Sequence, residues 1–115
     1  MTNEQLYLAG KQARHLRALG HHLSPVAMIG KEGVTDGLLK SVEAVLTAHE
    51  LIKVKLQEGC PLEKTEAAEL LARKTRAKIA QIIGRTVLLY RENPEKQEEK
   101  KIRLPKKPQK GKRNE

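Results

Sequence analysis

Residues 26–56, VAMIGKEGVTDGLLKSVEAVLTAHELIKVKL, contain the local patterns from which the fold can be predicted. Residues 26–29 form a short apolar run bounded by turn residues, which is typical of a strand. In residues 34–49 the apolar side chains recur at helical spacing, and in residues 51–57 they alternate with lysines as in a half-buried strand. The stretch therefore predicts a strand, a loop, a helix and a second strand.

The loop in this stretch is GKEG, Gly30 to Gly33, called the GxxG loop below. Glycine allows positive φ and a close approach of a ligand to the backbone, and Lys31 adds a mobile positive charge. With Thr35 or Asp36 as N-cap, the next helix would direct free amides at the loop and favour phosphate. One RNA-binding module holds a nucleic-acid backbone with a GxxG loop, although most GxxG strings taken alone are ordinary turns.

Further helices and strands are predicted on both sides of this stretch. The helices cover residues 4–19 and 62–76, and the strands cover residues 78–83 and 86–90, separated by a two-residue turn. Strands joined through a helix should be parallel, whereas the hairpin makes the last strand antiparallel. The prediction is a small α/β fold of order α-β-α-β-α-β-β with a mixed four-stranded sheet. Because residues 86–90 are apolar on both faces, we expect a central strand whose second face is covered by the first helix.

The first predicted helix carries a repeated positive charge opposite its apolar stripe. Lys11, Arg14 and Arg17 recur every three residues and form what we call the basic ridge. A solvated helix face is the alternative interpretation of such a stripe. Its occurrence beside the GxxG loop makes the basic ridge a candidate RNA contact.

The 115 residues support one domain, predicted over residues 1–92, and the composition changes near Arg91 into a charged tail. Residues 1–90 carry 13 lysines and arginines against 9 acids, and residues 91–115 carry 10 against 5. Both parts are basic, which favours a polyanionic partner, either nucleic acid or an anionic membrane surface. Residues 93–115 are predicted to be a disordered basic tail, either an arm that follows phosphates or a solubilising extension.

No catalytic, metal or cofactor site is predicted. The single cysteine, Cys60, excludes an internal disulfide, and the four histidines match neither HExxH nor a cysteine-containing zinc pattern. A serine nucleophile elbow, a P-loop and a dinucleotide fingerprint are also missing from the sequence. The chain starts without a signal-peptide pattern and has no apolar stretch long enough to span a membrane, so we expect a cytoplasmic protein without a membrane partner.

Aromatic residues are scarce, which restricts how RNA could be recognised. The sequence has neither Trp nor Phe, and its two tyrosines are Tyr7 and Tyr90. Modules that read single-stranded bases use stacking platforms of aromatic side chains. We therefore expect recognition through phosphates and RNA shape, with affinity that falls as salt rises.

Residues 15–56, together with IIGRTVLLYR at residues 82–91, resemble the CRM domain, the chloroplast RNA splicing and ribosome maturation module. The resemblance covers residues 4–92 and is closest to the stand-alone bacterial YhbY-like form; an HxLxP element precedes the loop and HELIKVKL follows the helix. It implies a fold like the C-terminal domain of translation initiation factor three, with strand order 1, 2, 4, 3 and the fourth strand antiparallel. It also implies RNA binding through the GxxG loop, here Gly30, Lys31, Glu32 and Gly33, and for the bacterial members an association with precursors of the large ribosomal subunit.

The resulting expectation is a noncatalytic RNA-binding factor whose partners are ribosomal RNA and large-subunit precursor particles, with the oligomeric state left open. Two alternatives remain at this level: a general nucleic-acid-coating or DNA-associated protein, and an adaptor that binds proteins through apolar helix faces. Glu32 departs from an ideal phosphate loop because its carboxylate opposes the anion that Lys31 attracts. We therefore expect weaker backbone affinity than for a loop with neutral or basic central residues.

Overall fold

The computed structural model describes residues 6–97 and 101–105. Its described part contains three helices and four strands: α1 (Gly10–Gly20), β1 (Pro25–Ile29), α2 (Asp36–His49), β2 (Leu51–Leu56), α3 (Lys64–Thr75), β3 (Lys78–Ile83) and β4 (Thr86–Tyr90). The strands form one sheet in the order β1-β2-β4-β3. β1 pairs parallel with β2, and β4 pairs antiparallel with both β2 and β3. These findings confirm the predicted fold class and strand order.

The start of the first helix is where the prediction was wrong. α1 begins at Gly10 instead of residue 4, and Ala9 before it is extended. Tyr7 forms a parallel bridge with Ile79 of β3, and the Leu8 amide donates to the Ile79 carbonyl at 2.9 Å. Backbone groups on the edge of a sheet need partners, and this segment supplies them for β3. The predicted residues 4 and 5 lie outside the described part of the chain.

One face of the sheet packs against α2 and α3. Alternate side chains of the strands point to this side, so that each strand contributes every second residue to the core. The core is apolar and includes, from the two central strands and the two helices, Ile52, Val54, Val87, Leu89, Val42, Leu46, Leu71 and Ala72. Of the two predicted candidates, Thr35 is the N-cap of α2, since its Oγ1 accepts from the Leu38 amide at 3.1 Å.

The other face of β4 is covered by α1, as the sequence predicted. Leu16 of α1 packs in a second buried cluster with Leu88 and Tyr90 of β4. The helix lies so close to the strand that a Cβ built on Gly20 would be 2.8 Å from Leu88 Cδ1. A side chain at position 20 would therefore push α1 away from the sheet.

The described part of the tail also lies on this second face. Ile102 and Leu104 pack against the cluster beneath α1. Both carboxylate oxygens of Glu50, a fully buried residue, accept from this segment: Oε2 from the Asn93 amide at 2.7 Å and Oε1 from the Ile102 amide at 2.8 Å. The packed region thus continues past the boundary predicted after residue 92. Residues 98–100 and 106–115 lie outside the described residues, and the disorder of the tail stays a prediction there.

Glycine substitutions at Glu50 and Arg76 should distinguish two effects on the free energy of unfolding: relief of backbone strain, and loss of the Glu50 hydrogen bonds to the tail. Both residues follow the last turn of a helix with positive φ, 65° and 61°. Arg76 is exposed, so Arg76→Gly should raise the free energy of unfolding by about 0.5–1 kcal/mol. Glu50→Gly leaves two amides without their acceptor and should lower it by about 2 kcal/mol. Urea unfolding of both variants measures this, and stabilisation by both would show that the carboxylate does not hold the tail.

The two tyrosines should titrate well above their ordinary pKa of about 10. Burial and then the hydrogen bond to Glu69 raise the pKa of Tyr7 to about 12. Burial and then the charges of Glu50 and Glu92 raise the pKa of Tyr90 to about 12. Both phenols favour the folded state fully below pH 10, and this contribution is lost as the pH rises from 10 to about 12.

Tyrosinate absorbance tests this directly because the chain has no other tyrosine and no tryptophan. The folded protein should show tyrosinate near pH 12, and the urea-unfolded protein near pH 10. In the Tyr7→Phe variant the tyrosinate absorbance comes from Tyr90 only, so each transition can be assigned to its tyrosine. Ionisation of the folded protein near pH 10 would mean that neither ring is shielded as described.

Candidate nucleic-acid interface

The GxxG loop is a tight turn at the end of β1. The Gly33 amide donates to the Gly30 carbonyl at 3.0 Å, which places Lys31 and Glu32 at the exposed tip. Gly33 is buried and has a φ of +74°, a conformation that other residues rarely adopt. A side chain at position 33 would therefore distort the turn itself, whereas Lys31 can be changed without touching the core.

The N-terminus of α2 follows two residues after the loop. One of its amides is already occupied, because Leu38 donates to Thr35 Oγ1. Asp36 places a carboxylate in the first helical turn, where it interacts favourably with the positive end of the helix dipole. Together with Glu32 it sets two carboxylates against the single cation Lys31. The GxxG loop and the N-terminus of α2 alone would therefore attract an anion more weakly than the sequence pattern predicted.

Two further cations lie at the same end of the sheet, although neither was predicted as a site residue. Lys55 of β2 is exposed and stands beside Met28 of β1 in the parallel register. Arg85 occupies the turn between β3 and β4, where Nε donates to the Leu56 carbonyl at 3.2 Å and Nη2 to the Gln57 carbonyl at 2.7 Å. The alternation of residues 51–57 placed Lys55 on the face opposite Ile52 and Val54, but nothing local indicated that Arg85 reaches β2.

These cations border an open cleft of about 590 Å³ that we call the sheet-end groove, lined by Met28, Lys55, Leu56, Gln57, Glu58 and Arg85. Gln57 links the sheet-end groove to the GxxG loop. Its backbone amide donates to the Ile29 carbonyl at 2.9 Å, and its side-chain oxygen is 3.0 Å from a Cβ built on Gly30. Glu58 adds one carboxylate to the two cations. The sheet-end groove and the GxxG loop therefore form one continuous surface.

The basic ridge lies on α1, and Lys11, Arg14 and Arg17 are all exposed. At 3.6 residues per turn these three follow one flank of the helix, while Gln12 and Leu19 follow the opposite flank. Gln12 donates to the Pro105 carbonyl at 3.1 Å, so the opposite flank meets the tail.

The direction of α1 decides which end of the sheet the basic ridge faces. Just before α1, the backbone amide of Leu8 donates a hydrogen bond to the Ile79 carbonyl of β3. Just after α1, the Leu23 carbonyl accepts a hydrogen bond from the side chain of Lys53 in β2. α1 therefore crosses the strands. Leu19 and Ile102 share a cleft with Leu51, where β2 begins. The basic ridge consequently faces the end where β2 stops, which is the end that carries the GxxG loop.

Other kinds of site find no counterpart in the described part of the chain. Residues 6–97 and 101–105 contain no group of three or more His, Cys, Asp or Glu side chains suited to hold a metal ion. In the same ranges, no helix has the length and apolar character needed to cross a bilayer. Cys60 is half-buried, and its Sγ lies 3.8 Å from the Leu62 carbonyl.

The chain is similar to known proteins over most of its length. Residues 8–91 match the CRS1/YhbY (CRM) domain. The chain is 43% identical to Probable RNA-binding protein YqeI of Bacillus subtilis over 98 residues, covering 85% of this chain and 99% of that protein. It is 42% identical to an RNA-binding protein of Haemophilus influenzae, covering 87% and 97%. The solution structure of the hypothetical protein SAV1595 from Staphylococcus aureus superposes with a TM-score of 0.71 at 40% identity, covering 85% and 99%.

Proposed function

Since the chain belongs to the CRS1/YhbY (CRM) domain family, we propose that it is an RNA-binding protein without catalytic activity. Its target is ribosomal RNA in precursors of the large ribosomal subunit, and it acts there as an assembly factor in the cytoplasm. The observation that carries the proposal is the match, over nearly their whole length, to two bacterial relatives named as RNA-binding proteins. The ribosomal target follows from what the resemblance to the stand-alone bacterial form implies.

Phosphate contacts are the proposed basis of binding. The exposed Lys31 and the amides of the GxxG loop would hold the RNA backbone, and the basic ridge would add charge along α1. Neither tyrosine is a freely exposed aromatic ring: Tyr7 is half-buried, packs against the core and donates its hydroxyl to Glu69 at 2.7 Å, and Tyr90 is 7% exposed. Sequence-independent backbone contacts of this kind give an affinity that falls steeply with salt, and selectivity would come from the shape of folded RNA.

Reversing the charge of Lys31 should weaken RNA binding without affecting the fold. We expect Lys31→Glu to lower the affinity for a labelled transcript of bacterial large-subunit precursor RNA about tenfold at 0.15 M salt. Lys74→Glu is the matched control, because Lys74 is exposed on α3, which packs on the other face of the sheet. Fluorescence anisotropy gives the affinities, and thermal unfolding of each variant checks that it is folded at the temperature of the titration. Equal affinities of the two variants would contradict the role of the GxxG loop.

Crosslinking in growing cells tests the ribosomal target. RNA recovered with the tagged native protein should map to large-subunit precursor RNA, and this enrichment should be lost with Lys31→Glu. Reads spread over all RNA and unchanged in the variant would instead support a general coating protein. In that case duplex DNA would also displace the precursor transcript in vitro, which a reader of folded RNA should resist.

Removing the carboxylate of Glu32 should act in the opposite direction. Glu32 is exposed beside Lys31 at the tip of the loop, where it opposes a bound phosphate. We expect Glu32→Gln to raise RNA affinity about twofold to threefold at 0.05 M salt. The gain should shrink as salt is added, because an exposed charge is screened within about 8 Å at physiological ionic strength. Anisotropy titrations at several salt concentrations measure it, and an unchanged affinity at low salt would place phosphate away from the loop tip.

A further inference from the structure

We propose that Lys55 and Arg85 form a second phosphate-binding point in the sheet-end groove. An RNA strand held by the GxxG loop would continue across the ends of β1, β2 and β4 and place a further phosphate between these two cations. The inference rests on the proposed function and extends it. It assigns to RNA contact two residues outside the GxxG loop and the basic ridge.

The sheet surface beside the GxxG loop is open. In the register of the sheet, Met28, Lys55 and Thr86 are neighbours on three adjacent strands and point to the face that carries α1. α1 covers the second cluster under Leu16, but Met28 remains 52% exposed. Adjacent strands are about 4.8 Å apart, so β1 and β4 are separated by about 10 Å. A ligand held at the end of β1 can therefore reach β4 without crossing a helix.

Arg85 is held in place by only part of its guanidinium group. Two of its five guanidinium N–H groups donate to the carbonyls of Leu56 and Gln57. The other three have no partner among the described residues, and Arg85 is exposed. A planar guanidinium suits phosphate because two parallel N–H groups can donate to two oxygens. Because its two carbonyl partners already hold the guanidinium in place, less side-chain entropy would be lost when it binds phosphate.

Lys55 has no structural partner in the described part of the chain. Within residues 6–97 and 101–105, Lys55 has no hydrogen bond or ion pair, whereas Lys53 on the same strand donates to the Leu23 carbonyl. An exposed lysine of this kind contributes little to stability. Its position in the sheet-end groove beside Arg85 gives it a ligand-directed role, with Glu58 as the one opposing carboxylate lining the groove.

The experiment compares Lys55→Ala with Lys74→Ala, which removes the same side chain from the other face. With the labelled precursor transcript, Lys55→Ala should weaken binding about threefold to tenfold, and Lys74→Ala should leave it unchanged. The slope of log affinity against log salt should become shallower by about 0.7–0.9 for one lost phosphate contact. Lys55→Arg should restore affinity and slope, because a cation is again present. Glu58→Gln should tighten binding about twofold, which no structural role for the groove predicts.

The outcomes separate this inference from the proposed function. If Lys31→Glu weakens binding but Lys55→Ala behaves like Lys74→Ala, the second phosphate point is wrong and the loop remains the site. If neither Lys31→Glu nor Lys55→Ala has an effect, the proposed binding surface fails as a whole. Arg85→Ala is a second readout, scored by the salt slope at a temperature where circular dichroism shows the variant folded. An unchanged slope would leave Arg85 with its hairpin contacts alone and overturn its part of the proposal.

Discussion

The burial of β4 on both faces is the constraint on which the rest of the structure depends. Val87 and Leu89 point to one side, Leu88 and Tyr90 to the other, and all four are buried. A large apolar side chain contributes about 1.5–3 kcal/mol when it is removed from water, so neither face of this strand can stay open. Two covering layers are required. α2 and α3 supply one, and α1 with Ile102 and Leu104 supplies the other.

As a result, one end of the sheet is packed against the tail and the other end is exposed. At the end where β2 begins, Glu50 binds the amides of Asn93 and Ile102 and fastens the described tail over the second cluster. At the end where β2 stops, the side chains of Lys31 and Glu32 at the tip of the GxxG loop are exposed, as are Lys55 and Arg85. The tail occupies one flank of α1 and leaves the basic ridge on the other. Packing is thus concentrated away from the surface that we propose for RNA.

The charges of that surface explain why the GxxG loop alone is a poor guide to how strongly the surface would attract phosphate. Lys31 is set against Glu32 and Asp36, and the Thr35 side chain has already taken one amide of the helix end. The nearby cations therefore decide whether the region attracts phosphate, and they come from β2, the β3–β4 turn and α1. Because exposed charges are screened over about 8 Å at physiological salt, only cations adjacent to the bound strand can contribute much.

Much of the fold could be predicted because its signals are local. The short, mainly apolar runs of residues 78–83 and 86–90 and the turn between them are short-range patterns, and both strands occur at the predicted residues. The cap of α2 at Thr35 was among the two candidates for the same reason. The exposed positions of the GxxG loop and the basic ridge also follow from spacing along one strand end and one helix. RNA contact by these residues stays a prediction.

The sequence by itself determined the element order, the central place of β4 and the positive charge of the chain, since each depends on residues close together along the chain. Only the tertiary structure decided that Tyr7 and Leu8 pair with β3, that Glu50 is buried, and that Arg85 reaches the end of β2. A glutamate or an arginine is ordinarily exposed, so its identity gives no hint of such partners. These contacts join residues 28 to 72 positions apart, and they form only when the packed sheet brings their backbones together.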